Sequence, residues 1–362
     1  MLSTTFPKYV FSNLLWLAVC SPTLNAATAS YVYTMTNAAS GNSILVFQRE
    51  TGGTLTFVTS VPTGGRGSGG APGSQGTLLL QGNYLFAVNP GNSTITTLNA
   101  NTMTVLSSVS SGGTSPVSLT FHKGFLYVLN DKGVNNITGF TADAATGVLT
   151  ALPGSTQPLS AASVGPAEVA FNAAGTELIV TEKNTSLIDV FPVTDGVAGP
   201  PTSYASAGIT PYGFAVSGHD WFFVSDAQTG VGTDSGAVSS YQLSSTGVPS
   251  VISGVVALTS LAPCWVAVNA AETYVYVANN GSNTISQLTI GSNGSLTLVS
   301  AYGTGPSTGP ADLAISPDGL NLYAVDSKSG AVDAFTINSN GSLTRIAGAS
   351  GTSAAHAGLV VR

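Results

Sequence analysis

The sequence predicts an all-β fold, a seven-bladed propeller of four-stranded blades, on three observations. The first is composition: only 7% of the 362 residues are charged, 43% are hydrophobic and 43 are glycine, against roughly 25% charge and 7% glycine in an average soluble domain. Such a chain is rich in turns and apolar enough to bury a core. The second is a strand–loop–strand unit that starts at Val32, Leu85, Leu126, Leu178, Phe222, Val275 and Leu322, in steps of 53, 41, 52, 44, 53 and 47 residues. Those steps match the length of one propeller blade. The third is a lone strand at the carboxy terminus, residues 356–362, facing a first unit that lacks one. Setting that tail into the first blade closes the ring and removes its open edges.

The units run 32–37 with 43–47, 85–89 with 94–98, 126–130 with 136–140, 178–182 with 187–191, 222–226 with 237–241, 275–279 with 284–288, and 322–326 with 331–335. Apolar and polar residues alternate within them, as in Val275-Tyr276-Val277-Ala278-Asn279, so each strand has a face for a core. Asn or Asp ends most of the leading strands, where the side chain can bond the turn that follows. An inner strand precedes the pair in five units and opens on Pro116, Pro166, Pro211, Pro263 or Pro310, because proline at a strand's first residue forfeits no ladder bond. Outer strands follow at 294–299 and 341–346, entered by Asn293-Gly294 and Asn340-Gly341, which are tight-turn pairs.

Residues 1–29 carry Lys8, an apolar run at 9–20 and small residues up to Ala26 and Ala29. This is the pattern of a cleaved secretory signal, and its apolar run falls short of the ~20 residues of a membrane span. The expectation is a secreted or periplasmic chain with one propeller domain over 30–362. Cys264 is then the sole mature cysteine, so no internal disulfide forms. Nine basic against sixteen acidic residues, net −7, exclude a nucleic-acid binder, which needs clustered cations. No His or Cys cluster or calcium-loop spacing suggests a metal, no phosphate loop appears, and no cofactor is expected. The glycine-rich stretch 64–70 reads as a flexible connection.

In a propeller blade the inner strand begins on the face where the second strand ends, so residues just after the inner proline lie near the Asn/Asp loops at the channel mouth. Catalytic candidates there are Glu168, Glu182, Lys183 and His356; ligand-binding candidates are Tyr212, Asp226, Cys264, Trp265, Asp312 and Asp326. Glu168 is the most telling, since an acid inside an apolar strand needs a partner or a raised pKa. Glu182 and Lys183 equally read as its structural ion-pair partners. Asp226 and Asp326 stand where Asn89 and Asn279 stand in other blades, so turn bonding explains them as well. Cys264 also reads as a small buried apolar residue.

The blades, once laid out, resemble the seven-bladed lactonase family, which groups cycloisomerase-type 6-phosphogluconolactonases with carboxy-muconate lactonising enzymes. The resemblance rests on Gly165-Pro166-Ala167-Glu168-Val169-Ala170-Phe171-Asn172, on Gly309-Pro310-Ala311-Asp312-Leu313-Ala314, on Leu322-Tyr323-Ala324-Val325-Asp326, and on Ser339-Asn340-Gly341-Ser342-Leu343-Thr344. It implies lactone hydrolysis. Where that family places Arg and His after the inner proline, this chain has Ala167-Glu168, Ala311-Asp312 and Cys264-Trp265, so cations for a phosphorylated substrate are mostly missing. The resemblance therefore implies a neutral or sugar-derived lactone, with Glu168 or Glu182 activating water, Lys183 or backbone N–H groups holding the oxyanion, and His356 protonating the departing oxygen. The alternative is a non-catalytic propeller binding a glycan or a protein at the same mouth. Either reading expects a monomer.

Overall fold

A computed structural model describes residues 30–71, 73–228, 236–306, 308–350 and 357–362. The expected signal segment and His356 lie outside those residues. Seven antiparallel sheets form a ring in which each inner strand touches its neighbours' inner strands. Blade 1 consists of Ala357–Val361, Ser30–Met35, Ser43–Arg49 and Leu55–Pro62, from axis to rim. The carboxy-terminal strand thus sits innermost in the first blade, with Val361 opposite Val32 and Leu359 opposite Thr34.

Blades 2 to 7 follow in chain order, with inner strands Leu78–Gln81, Thr114–His122, Pro166–Phe171, Ile209–Val216, Pro263–Val268 and Pro310–Ile315. The inner strand of blade 2 has no opening proline, which is why the sequence pattern does not display it. In blades 3 and 4 the outer strand is split: Leu149–Ala151 and Gln157–Pro158 both pair with Asn136–Ala142, while Val197–Ala198 and Thr202–Ala205 both pair with Leu187–Thr194. Pro153-Gly154 and Gly199-Pro200-Pro201 interrupt these two edges, because proline cannot donate to the ladder and is tolerated only there.

The core is a ring of layers between blades. Val32, Leu45 and Phe47 of blade 1 pack on Tyr323, Val325 and Val332 of blade 7, joined by Leu359 of the closing strand. A recurring clamp ties several of these layers: a buried second-strand tyrosine donates its hydroxyl hydrogen to a carbonyl in the outer turn of the next blade. Tyr127 bonds Gly196 at 2.8 Å, Tyr276 bonds Gly341 at 2.7 Å, and Tyr323 bonds Gly53 at 2.8 Å. The tyrosine body fills the layer while its hydroxyl finds the partner that burial demands.

Candidate functional site

One register repeats around the face where the second strands end, here the upper face. The inner proline lies opposite the last polar residue of the second strand: Pro116 with Asn130, Pro166 with Glu182, Pro211 with Asp226, Pro263 with Asn279, and Pro310 with Asp326. The register slips just past each proline, a bulge that re-aims the next side chains, Ser118, Glu168, Trp265 and Asp312 among them. The residue before the proline is left-handed in all five blades, including Ser115 (φ 60°), Ala262 (φ 49°) and β-branched Thr210 (φ 59°). Such strain persists only where the surroundings hold it, and here it rings one face.

Residues 73–77, which lead into blade 2, cross the mouth on that face as a strap pinned to blades 3, 4 and 6. Ser74 donates its hydroxyl hydrogen to Val117 O at 2.9 Å, and Leu119 N–H donates to Gly76 O at 2.8 Å. Trp265 Nε1–H donates to Ser74 O at 3.0 Å. Gln75 makes a reciprocal pair with the backbone of blade 6, donating to Val266 O at 2.8 Å and accepting from Val266 N–H at 2.9 Å, while its own N–H reaches Ala167 O at 3.2 Å. Gly213 has to be glycine to seat it, since a Cβ there would lie 2.3 Å from Gln75 Oε1 and 2.5 Å from Cys264 O. The glycine-rich stretch leading to the strap is not a flexible connection as its composition suggests. Gly67 and Gly69 N–H groups donate to Ala38 O and Asn37 O at 2.8 and 2.9 Å, and a Cβ on Gly67 would collide with the Asn37 backbone at 2.0 Å. Its glycines serve close approach rather than freedom.

Beneath the strap lies a channel cavity of about 200 Å³ lined by Gln75, Gly76, Leu79, Leu119, Thr120, Glu168, Val169, Asp312, Leu313 and Leu359. Inner strands are buried at their upper ends and partly exposed at their lower ends, as in Pro263–Val268, Pro310–Ile315 and Ala357–Val361. Water therefore reaches the channel from the lower face. Glu168 and Asp312 come together on this cavity from blades 4 and 7. Burial holds the Glu168 carboxyl well above the usual carboxylate range, against a 2.6 Å bond from Phe214 N–H to its Oε2, and the nearby Asp312 raises it further. Burial pushes Asp312 up to about 8 despite N–H groups from Leu313 and Leu359. Among the described residues no Lys or Arg lines the cavity.

The other described candidates are placed elsewhere, and none of them lines that cavity. Glu182 is fully buried and turns toward Ser160, accepting from its N–H at 3.1 Å and its hydroxyl at 2.6 Å, and from Thr185 Oγ at 2.5 Å. The same Ser160 N–H reaches Asp189 Oδ2 at 3.0 Å; burial and the adjoining Glu182 push Asp189 up to about 7. This second carboxyl pair has no sequence signal, because Asp189 looks like any alternating polar residue. Lys183 lies under the strap, 4.7 Å from the Tyr212 ring centroid, with Nζ donating to Gly73 O at 2.6 Å and Pro166 O at 3.1 Å. It does not pair with Glu168. Tyr212 packs on Trp265 at 5.5 Å between centroids, and burial pushes the Cys264 thiol up to about 12, which leaves it unreactive. Asp226 accepts from Ser239 Oγ at 2.6 Å; Asp326 accepts from the N–H groups of Lys328 and Ser329 at 2.9 and 3.1 Å.

The family model described as the lactonase seven-bladed β-propeller matches residues 26–164 and 242–357. The chain belongs to that family. A comparison with curated protein sequences finds no match. Among solved structures, a putative 6-phosphogluconolactonase of Bacteroides fragilis is similar at 19% identity and TM-score 0.73, over 93% of this chain and 99% of its own. A Lactobacillus plantarum protein is similar at 15% identity and TM-score 0.75, over 93% and 100%. The periplasmic gluconolactonase of Pseudomonas aeruginosa is similar at 17% identity and TM-score 0.57, over 89% and 83%. At these identities the likeness concerns the fold.

In this lactonase-family propeller the strap is the element that pattern reading missed; Gln75 carries no charge and sits in no strand. Gln75→Ala should destabilise the protein by about 2–4 kcal/mol, since it strands both the N–H and the C=O of Val266 in a buried place. Urea unfolding of the two proteins checks this, and an unchanged midpoint would refute the strap's role as a fastening.

Proposed function

We propose that this lactonase-like propeller hydrolyses a small neutral lactone in the channel cavity, with Glu168 and Asp312 as its acid–base pair. The observation that carries the reading is two buried carboxyls lining one cavity with no Lys or Arg among its described lining residues. Paired carboxyls in a low-dielectric site cannot both ionise easily, so one keeps a proton while the other accepts one. The ionised member takes a proton from water, whose oxygen attacks the lactone carbonyl. The ring C–O bond breaks and the protonated member supplies the leaving alkoxide with its proton, giving a hydroxy acid. A cavity of about 200 Å³ suits a single small ring, and Lys183, tied to two carbonyls, is not available for a phosphate. Placement of Glu182 against Ser160 leaves Glu168 as the acid of blade 4 that faces the cavity. No helix among the described residues is long and apolar enough to cross a membrane, and the leader at 1–29 supports export.

A pH-stat assay of the mature chain on neutral and phosphorylated lactones tests this. Glu168→Gln and Asp312→Asn should each lower turnover of a neutral lactone by roughly 10²–10⁴-fold, while Glu182→Gln keeps it. Wild-type rate should climb through about pH 8 as the Asp312 carboxyl begins to ionise. Turnover indifferent to both channel substitutions would remove these residues from the chemistry. A folded protein inert on every lactone would favour the glycan- or protein-binding alternative.

A further inference from the structure

A second concavity of about 460 Å³ opens on the upper face between blades 1, 2 and 3, and its lining includes Arg66, Lys132, Ser68, Ser93, Thr114 and Ser115. It shares no residue with the channel cavity. Cations are scarce in this chain, nine in 362 residues, and several are already engaged. Arg49 pairs with Asp318 at 2.7 Å, Arg345 pairs with Asp333 at 2.6 Å, and Lys183 holds two carbonyls. Arg66 and Lys132 are exposed and, among the described residues, neither has a carboxylate within ion-pairing distance. Asp131 is the nearest acid in sequence to Lys132, yet the charge of Lys183 acts on it more strongly than that of Lys132.

Arg66 is fixed by its backbone alone. Its N–H donates to Asn92 Oδ1 at 2.7 Å and its carbonyl accepts from Gly91 N–H at 2.9 Å. The guanidinium is left to face the concavity on a rigid loop. Ser93 and Ser115 are held in left-handed backbone at φ 56° and 60°, joined by a 3.1 Å bond from Ser115 N–H to Ser93 Oγ. That bond uses the oxygen of Ser93 and leaves its hydroxyl hydrogen to be donated. The wall therefore offers two cations with no ion-pair partner among the described residues and a set of fixed hydroxyls, with no large apolar side chain. Two like charges on one concavity repel until an anion lies between them, and a guanidinium fork matches a carboxylate or phosphate edge.

We propose that this concavity binds a sugar carrying an oxyanion, with Arg66 and Lys132 on the anion and the serine and threonine hydroxyls on the sugar. The inference is independent of the channel chemistry. Calorimetric titration of the full mature chain with glucuronate, glucose 6-phosphate and glucose at low salt tests it, and the tighter of the two charged sugars tells carboxylate from phosphate. At least one charged sugar should bind about tenfold more tightly than glucose, and Arg66→Gln or Lys132→Gln should each weaken it by about tenfold. Added salt should weaken it too. The Arg66 side chain bonds nothing among the described residues, so its variant should melt like the wild type. No binding of either charged sugar, or binding that ignores both substitutions, would overturn the proposal.

Discussion

Raising the pH from about 5 to about 8.5 should lower the melting temperature by about 10–20 °C, the reverse of ordinary acid denaturation. The cause is a set of carboxyls buried without cationic partners. Asp189 and Asp226 are pushed up to about 7 and Asp312 to about 8, all chiefly by burial, and Glu168 is raised in the same direction. An acid whose folded pKa lies above its unfolded value holds its proton in the native state after the unfolded chain has released it. Its stabilisation is complete below about pH 4 and is lost as pH climbs through the folded pKa, at about 1.4 kcal/mol per pH unit for each group. Carboxyls held low, such as Asp318 beside Arg49 and Glu272 beside Gly218 N–H and His219, act oppositely, but only near and below pH 4. Maximum stability should therefore fall near pH 4–5. Asp226→Asn is the clean control, because Asn89, Asn130 and Asn279 occupy the same register position in other blades and donate to neighbouring side-chain hydroxyls or to nearby backbone and side-chain carbonyls. The variant should melt higher than the wild type at pH 8.5 and flatten the pH slope. A wild-type melting temperature that rises with pH would refute the account.

Removal of residues 351–362 should abolish folding. The closing strand Ala357–Val361 pairs with Ser30–Met35 and packs against the inner strands of blades 2 and 7. Without it, blade 1 loses its innermost strand and the ring opens at two faces, exposing apolar layers and an unpaired strand edge. Moving residues 357–362 to the amino terminus, ahead of Ser30 through a short linker, restores in blade 1 the inner-to-outer order that the other blades already have. That permutant should fold where the truncated chain does not. Circular dichroism and limited proteolysis of both forms check it, and a truncated chain that folds with native stability would show that ring closure contributes little.

The reason these features were unequally legible is physical. Strand alternation, the inner prolines and the Asn/Asp turns are local, so the sequence displays the blades, their order and the orphan closing strand. The register between Pro166 and Glu182 follows from that repeat, and so does the placement of Glu168 on the inner strand. What lies between blades is different. Which way the Glu182 side chain turns depends on Ser160, and whether Lys183 meets an acid or two carbonyls depends on a strap that arrives from 110 residues earlier in the chain. Gln75 was silent because an uncharged amide in a loop has no pattern; its role exists only once blade 6 lies across the channel from it. The sequence alone determined a closed seven-bladed ring with acids near its axis, because period and turn chemistry are properties of neighbouring residues. Tertiary structure alone decided that a strap crosses the upper mouth, that Glu168 shares a cavity with Asp312 rather than with Glu182, and that Arg66 and Lys132 share a wall, because each of these joins residues from different blades.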